Sequence, residues 1–239
     1  VPLPSFVVQF APRTTVALRT RASMQPRIAS VDAGSVSNPA HREDIDWLRA
    51  IAVLSVVAFH FEAPAIFGGF VGVDIFFVIS GYLITGIIAS EMAQGRFSFA
   101  QFYERRVRRL LPALYAMVAF AAIPASQDML SSERVAFFRS AATVVTFTSN
   151  IFFWQQSGYF DHAAVEKPLL HTWSLAVEEQ YYILFPPLLA LLWRFAPRSI
   201  GFVLLWIGGV SLIYCLREMP DAPEYAFFAA PTRVFELMI

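Results

Sequence analysis

Arg49 and His60 bracket an apolar run, AIAVLSVVAF. Ionisable side chains in membrane-length apolar helices are costly to bury, so they mark candidate functional positions. Eleven residues at ~100° each make about three turns, which puts both side chains on nearly one helix face. At ~1.5 Å of rise per residue they stand roughly 16 Å apart along the axis, too far to touch as members of a triad. Two such groups fit two parts of one long substrate, or the two ends of a path through a membrane. His60 suits proton abstraction, because a neutral imidazole titrates near neutral pH. The plainer alternative is a helix-end histidine hydrogen-bonded at the interface. Arg49 suits a phosphate or a carbonyl oxygen, or else snorkels to the membrane surface.

Asp74 opens a second apolar run that ends in Ser80-Gly81, and a turn around Pro64, Gly68 and Gly69 joins the two. Arg105, Arg106, Arg108 and Arg109 form a compact group. Arginine forks match phosphate oxygens bidentately. On a helix Arg105 shares a face with Arg108 and Arg109, as does Arg106 with Arg109. The group could hold a phosphorylated donor, or act as a topology signal that attracts anionic lipid. Asp161, His162 and His171 lack helical spacing and no cysteine joins them, so a metal site is not expected. Glu178 and Glu179 are adjacent, so only one is expected to point inward. It would orient a histidine or a sugar hydroxyl; otherwise the pair marks an exposed helix start, where acids are favoured. Trp154, Trp173, Tyr181 and Tyr182 read as an interfacial aromatic belt. There is no glycine-rich nucleotide loop, nucleophile elbow or zinc-protease helix.

The elements that must carry these groups are membrane helices. The 239 residues are 57% hydrophobic and 15% charged, with a mean hydropathy of +0.55. That is an all-α, polytopic transmembrane bundle rather than a soluble domain. A net charge of zero gives no case for nucleic acid, and one cysteine, Cys215, excludes a disulfide framework. Residues 1–43 read as a disordered, basic cytoplasmic tail; the apolar runs near Val7 and Val16 are short for a targeting signal. Helices are expected at 45–61, 70–90, 110–125, 179–193 and 200–216, with another beginning near 226. Pro112 would fall in the first turn of the third. The arginine-rich segment 91–109 places that end, and the N-terminus, in the cytoplasm. Residues 135–154 either cross as a fourth span or lie partly buried at the interface. If they cross, 155–178 is cytoplasmic. If not, 155–178 is outside, Arg194 and Arg198 are inside, and the acidic 217–225 loop is outside, which satisfies the charge bias better.

Taken in order, these segments resemble the acyltransferase-3 family of integral membrane acyltransferases. DIDWLRAIAVLSVVAFH, with ten residues between Arg49 and His60, is similar to the family's first signature. GGFVGVDIFFVISGYLI resembles the second, and FYERRVRRLLPAL the arginine motif. YFD and then PLLHTWSLAVEEQYY resemble the subgroup that O-acetylates bacterial surface polysaccharides, and TRVFELMI a later motif cut short. The resemblance implies a bundle of about ten helices, of which residues 44–239 would supply six to seven and lack the C-terminal part. It implies a cytoplasmic donor, acyl-CoA (acetyl-CoA), used as a co-substrate with no bound cofactor. The acceptor would be a saccharide or lipid-linked glycan outside, and the setting the lipid of a bacterial inner membrane. His60, Arg49 and Glu178 would be catalytic. Arg105, Arg106, Arg108, Arg109 and Ser80 would bind the donor. Asp161, His171, Trp173, Ser174 and Glu179 would bind the acceptor, and no metal is implied. His60 would deprotonate the acceptor hydroxyl or carry the acyl group itself. The rival from another class is a transporter or flippase of a saccharide or acyl carrier, with Arg49 and His60 lining its path and no covalent chemistry.

Overall fold

A helix satisfies its backbone polar groups internally, so apolar runs of bilayer length become helices. The computed structural model describes residues 42–61, 68–127, 129–157 and 167–238, and these are all-α. In chain order the helices are α1 Glu43–His60, α2 Val71–Ala93, α3 Phe99–Gln127, α4 Ser131–Val145, α5 Ser149–Gln156, α6 Thr172–Phe195, α7 Ile200–Glu218, α8 Pro223–Phe228 and α9 Val234–Met238. Among the described residues four segments are long and apolar enough to cross a membrane: α2, α3, α6 and the stretch Pro197–Glu218 that contains α7. The molecule is a polytopic helical membrane protein. α6 forms its axis, because Trp173, Val177, Tyr181, Phe185 and Leu189 recur every four residues and are all buried.

Two helices begin earlier than the hydropathy predicts. α3 starts at Phe99 rather than 110, so the arginine group lies within the helix and Pro112 in its interior. Arginine and glutamate are good helix formers, and an Arg108–Glu104 pair at 2.6 Å bridges one turn, so the helix runs on through polar sequence. α6 starts at Thr172 rather than 179 and takes in the Trp173–Glu179 stretch.

Residues 135–154 are not one span. They fall in α4 and α5, joined at Phe147, which has a positive φ of 54°. The polar tip of this hairpin is tied to α6. The Gln180 amide donates to the Phe147 carbonyl (2.8 Å) and to Asn150 Oδ1 (2.9 Å). The Ser149 hydroxyl donates to the Thr172 carbonyl at 3.0 Å.

α2 and α6 run in parallel, with Phe77 beside Trp173 and Ser80 bonded to Glu178. α3 runs against both, because Arg106 meets Glu179 while Tyr103, earlier in α3, donates to the later Ile183 carbonyl. α3 therefore ends where α6 begins, and the hairpin between them makes no net crossing. Residues 135–154 therefore do not cross, which is the second of the two alternatives expected for that segment. α9 re-enters beside α2 from the same end, with Arg233 on Asp74 and the Leu237 carbonyl accepting from Tyr181.

Candidate active site

The bundle has two chemically distinct ends. At the first, His60 closes α1. Its Nδ1 lies 2.8 Å from the Val56 carbonyl oxygen. A carbonyl only accepts, so Nδ1 carries the proton and Nε2 of the neutral ring keeps a free lone pair. The ring is exposed. α1 can approach α2 closely because a Cβ at Gly72 would run into the Ala52 carbonyl.

His171, just before α6, stands within electrostatic reach of His60. It sits at an exposed rim, yet enough protein surrounds the ring for burial, and then repulsion from His60, to lower its pKa. It also bonds the Pro168 backbone. Ser174 donates to the His171 carbonyl at 3.3 Å. Below them Trp173 is buried against Phe77, Phe227 and Phe228. Arg233 stacks 5.9 Å from the Trp173 ring and bridges Asp74 (3.2 Å) and Glu236 (2.7 Å).

The second end holds a cavity of about 520 Å³ lined by Arg105, Arg106, Arg109, Glu178 and Glu179 among apolar side chains. Arg106 donates to Glu179 at 3.1 Å and lies 3.4 Å from the centre of the Tyr182 ring. Its Nε is buried without a partner among the described residues. Arg105 pairs with Glu91 at 2.8 Å. Arg109 lines the cavity with no ion-pair partner among the described residues. Arg108 is turned away, exposed and paired with Glu104.

Both adjacent carboxylates are engaged, against the expectation of one. Glu178 accepts from Ser80 and Tyr182 while Glu179 takes Arg106. Neither is an exposed helix start, because α6 begins two turns earlier. The aromatic belt is also corrected: Trp173, Tyr181 and Tyr182 are core residues, and only Trp154 stays partly exposed, edge-on to Tyr225.

The acyltransferase-3 family model, described as an acyltransferase domain, matches residues 42–235. This chain belongs to that family. It is 35% identical over 211 residues to the O-acetyltransferase OatA of Staphylococcus aureus, covering 84% of this chain and 34% of that protein. It is 35% identical over 206 residues to the peptidoglycan O-acetyltransferase OatA of Listeria monocytogenes, covering 81% and 32%. An uncharacterized protein of Haemophilus influenzae is 45% identical over 121 residues, covering 51% and 49%. The chain spans about a third of the length of the two OatA relatives. No solved structure matches.

The acyltransferase-3 family transfers acyl groups, and its membrane bundle here spaces the candidate groups along one axis. From Phe70, beside His60's neighbour Phe59, to Ile84 and Ile87 in the arginine cavity is roughly 20–25 Å of helix rise. Arg49 lies between, half-buried, its Nε buried without a partner among the described residues. Glu178, bonded at the level of Ser80, stands about ten residues of α2, or ~15 Å, from the His60 end, so the structure does not bring it to His60. Asp161 and His162 lie outside the described residues. The sequence reading missed three participants: Tyr182 as the joint holder of Arg106 and Glu178, and the pair Arg233 and Glu236. The signal for Arg233 and Glu236 was charge within an apolar run, the same signal that singled out Asp74; Tyr182 gave none.

Proposed function

We propose that this chain is the membrane part of an O-acyltransferase. It moves an acyl group, an acetyl group in this reading, from cytoplasmic acyl-CoA to a hydroxyl of a cell-surface or lipid-linked saccharide across a bacterial inner membrane. The observation that carries the reading is the His60–Val56 hydrogen bond. It holds the imidazole by Nδ1 and leaves Nε2 unbonded among the described residues, at the end of the bundle remote from the arginines. The names of the two OatA relatives, O-acetyltransferase and peptidoglycan O-acetyltransferase, support the acyl group and the acceptor class.

In this mechanism Arg105, Arg106 and Arg109 bind the donor phosphates by charge-assisted hydrogen bonds. The thioester arm runs inward past Arg49, whose unpartnered Nε is a ready donor to a carbonyl oxygen. At the far end His60 Nε2 takes the acceptor hydroxyl proton as the oxygen attacks the thioester carbon, and the CoA thiolate leaves. The alternative order has Nε2 attack the thioester first, forming an acyl-histidine that the hydroxyl then cleaves. His171 and Trp173 flank the acceptor side in both.

The test uses proteoliposomes of the complete protein, labelled acetyl-CoA on the arginine side and cell-envelope glycan on the other. Label in the glycan that disappears in His60→Ala, with thermal stability retained, is the expected result. Saccharide movement with no thioester consumed would overturn the reading in favour of a transporter.

A further inference from the structure

We infer that the cavity between α4 and α5 is the subsite that holds the acceptor saccharide. The inference rests on the function proposed above and names where its acceptor binds. The cavity measures about 400 Å³, within the ~300–1,000 Å³ typical of small-molecule sites. Its wall offers Phe152 and Phe153 beside Ser132, Glu133, Gln156 and Lys167, the chain's single lysine. A pyranose ring needs this mixture. Its C–H faces pack on aromatic rings, and its hydroxyls need donors and acceptors around the edge.

Position supports the same assignment. α3 ends and α6 begins at the His60 end, so the cavity between the hairpin arms opens there. Pro168 lies in its wall, and the Pro168 backbone bonds the His171 ring, which in turn senses His60. Phe152 and Pro168 thus share one cavity, and Pro168 is bonded to His171. The larger cavity between α2, α7 and α9, about 760 Å³, lies against glycines and leucines and offers few polar partners. It suits hydrocarbon, not a glycan.

The hairpin then has a purpose that a crossing helix could not serve. Its tip is pinned to Gln180 and Thr172 of α6, which fixes the arms and the cavity between them relative to His171.

The experiment measures transfer by the complete protein in proteoliposomes from acetyl-CoA to two acceptors, soluble peptidoglycan glycan strands and a lipid-linked disaccharide. Ala136, exposed on α4 and lining the cavity, is replaced by tryptophan to fill it. Gln156→Ala removes one polar partner at an exposed helix end. Phe138→Trp, on the neighbouring exposed surface of α4, is the control. The expected result is an acceptor KM raised at least tenfold in Ala136→Trp and several-fold in Gln156→Ala, each far more than the acetyl-CoA KM. Phe138→Trp keeps the wild-type acceptor KM. The acceptor that responds identifies whether polymer or lipid-linked sugar occupies the site. Transfer that proceeds in both cavity variants with unaltered acceptor KM overturns the subsite and leaves the proposed function standing. No transfer by the wild type to either acceptor overturns the function and the subsite together.

Discussion

Arg106 of α3 and Glu179 of α6 meet at 3.1 Å, 73 residues apart in sequence, with the Arg106 guanidinium stacked on Tyr182. The Glu179 side chain is only 11% exposed, so losing Arg106 leaves a carboxylate desolvated and unpaired. Arg106→Ala is expected to cost about 2–3 kcal/mol, below the ~3–5 kcal/mol of breaking a fully buried pair because Arg106 itself is partly solvated. Arg108→Ala breaks a pair that is 78% and 54% exposed and should cost under ~1 kcal/mol. Thermal unfolding of the two variants in detergent checks the difference.

Arg109 separates binding from architecture at the same cavity. It has no ion-pair partner among the described residues, so its removal breaks no structural bond there. In the proposed mechanism it meets donor phosphate, where a charge-assisted hydrogen bond contributes about 1.5–3 kcal/mol. Arg109→Ala should raise the acetyl-CoA KM about tenfold or more, with the melting temperature near that of the wild type. Arg108→Ala should leave that KM alone, because Arg108 faces away from the cavity. Steady-state kinetics with varied donor measure both.

The helical class and the separation of the arginine group from His60 along the bundle were legible because they depend on composition and on positions along one helix. Arg49 and His60 sit on α1 with the spacing their sequence separation dictates. The nearness of His171 to His60 was not legible, because it depends on how α6 packs against α2. Glu178 and Glu179 were misjudged for the same reason. Adjacent residues on a helix point about 100° apart, and here α2 and α3 lie on either side, so each carboxylate finds its own partner. The hairpin escaped because twenty apolar residues with internal Thr, Ser and Arg139 fit a marginal span as well as two short helices. Only the backbone reversal at Phe147 and its bond to Gln180 decide between them.

His171 gives a pH signature. Burial and His60 hold its pKa below the ordinary value of 6.5. The unfolded chain then binds a proton more readily than the folded one as the pH drops through that value. Stability attached to this group is complete above about pH 6.5 and is lost as the pH falls below it, towards the lowered folded pKa. His171→Gln removes that group, so wild type and variant should differ in the pH slope of their melting temperatures between pH 5 and 7 and run parallel above pH 7. Parallel curves throughout would mean that the folded protein admits the charge on His171 without cost.

Two glycines of α2 should respond in opposite directions. At Gly81 a Cβ would collide with the carbonyl oxygen and carbon of Leu237 in α9. These are backbone atoms, with no flexible side chain to move aside, so α9 would have to shift. That would strain the Tyr181–Leu237 bond and the Arg233–Asp74 pair that dock α9. Gly81→Ala is expected to cost about 1–3 kcal/mol, as overpacking does. At Gly86 a Cβ meets nothing within 4 Å, and the backbone is ordinary helix. Gly86→Ala should therefore be neutral or stabilising by up to ~1 kcal/mol through helix propensity. Unfolding midpoints for the two variants measure the contrast. Equal effects would mean that α9 does not rest on α2 at Gly81.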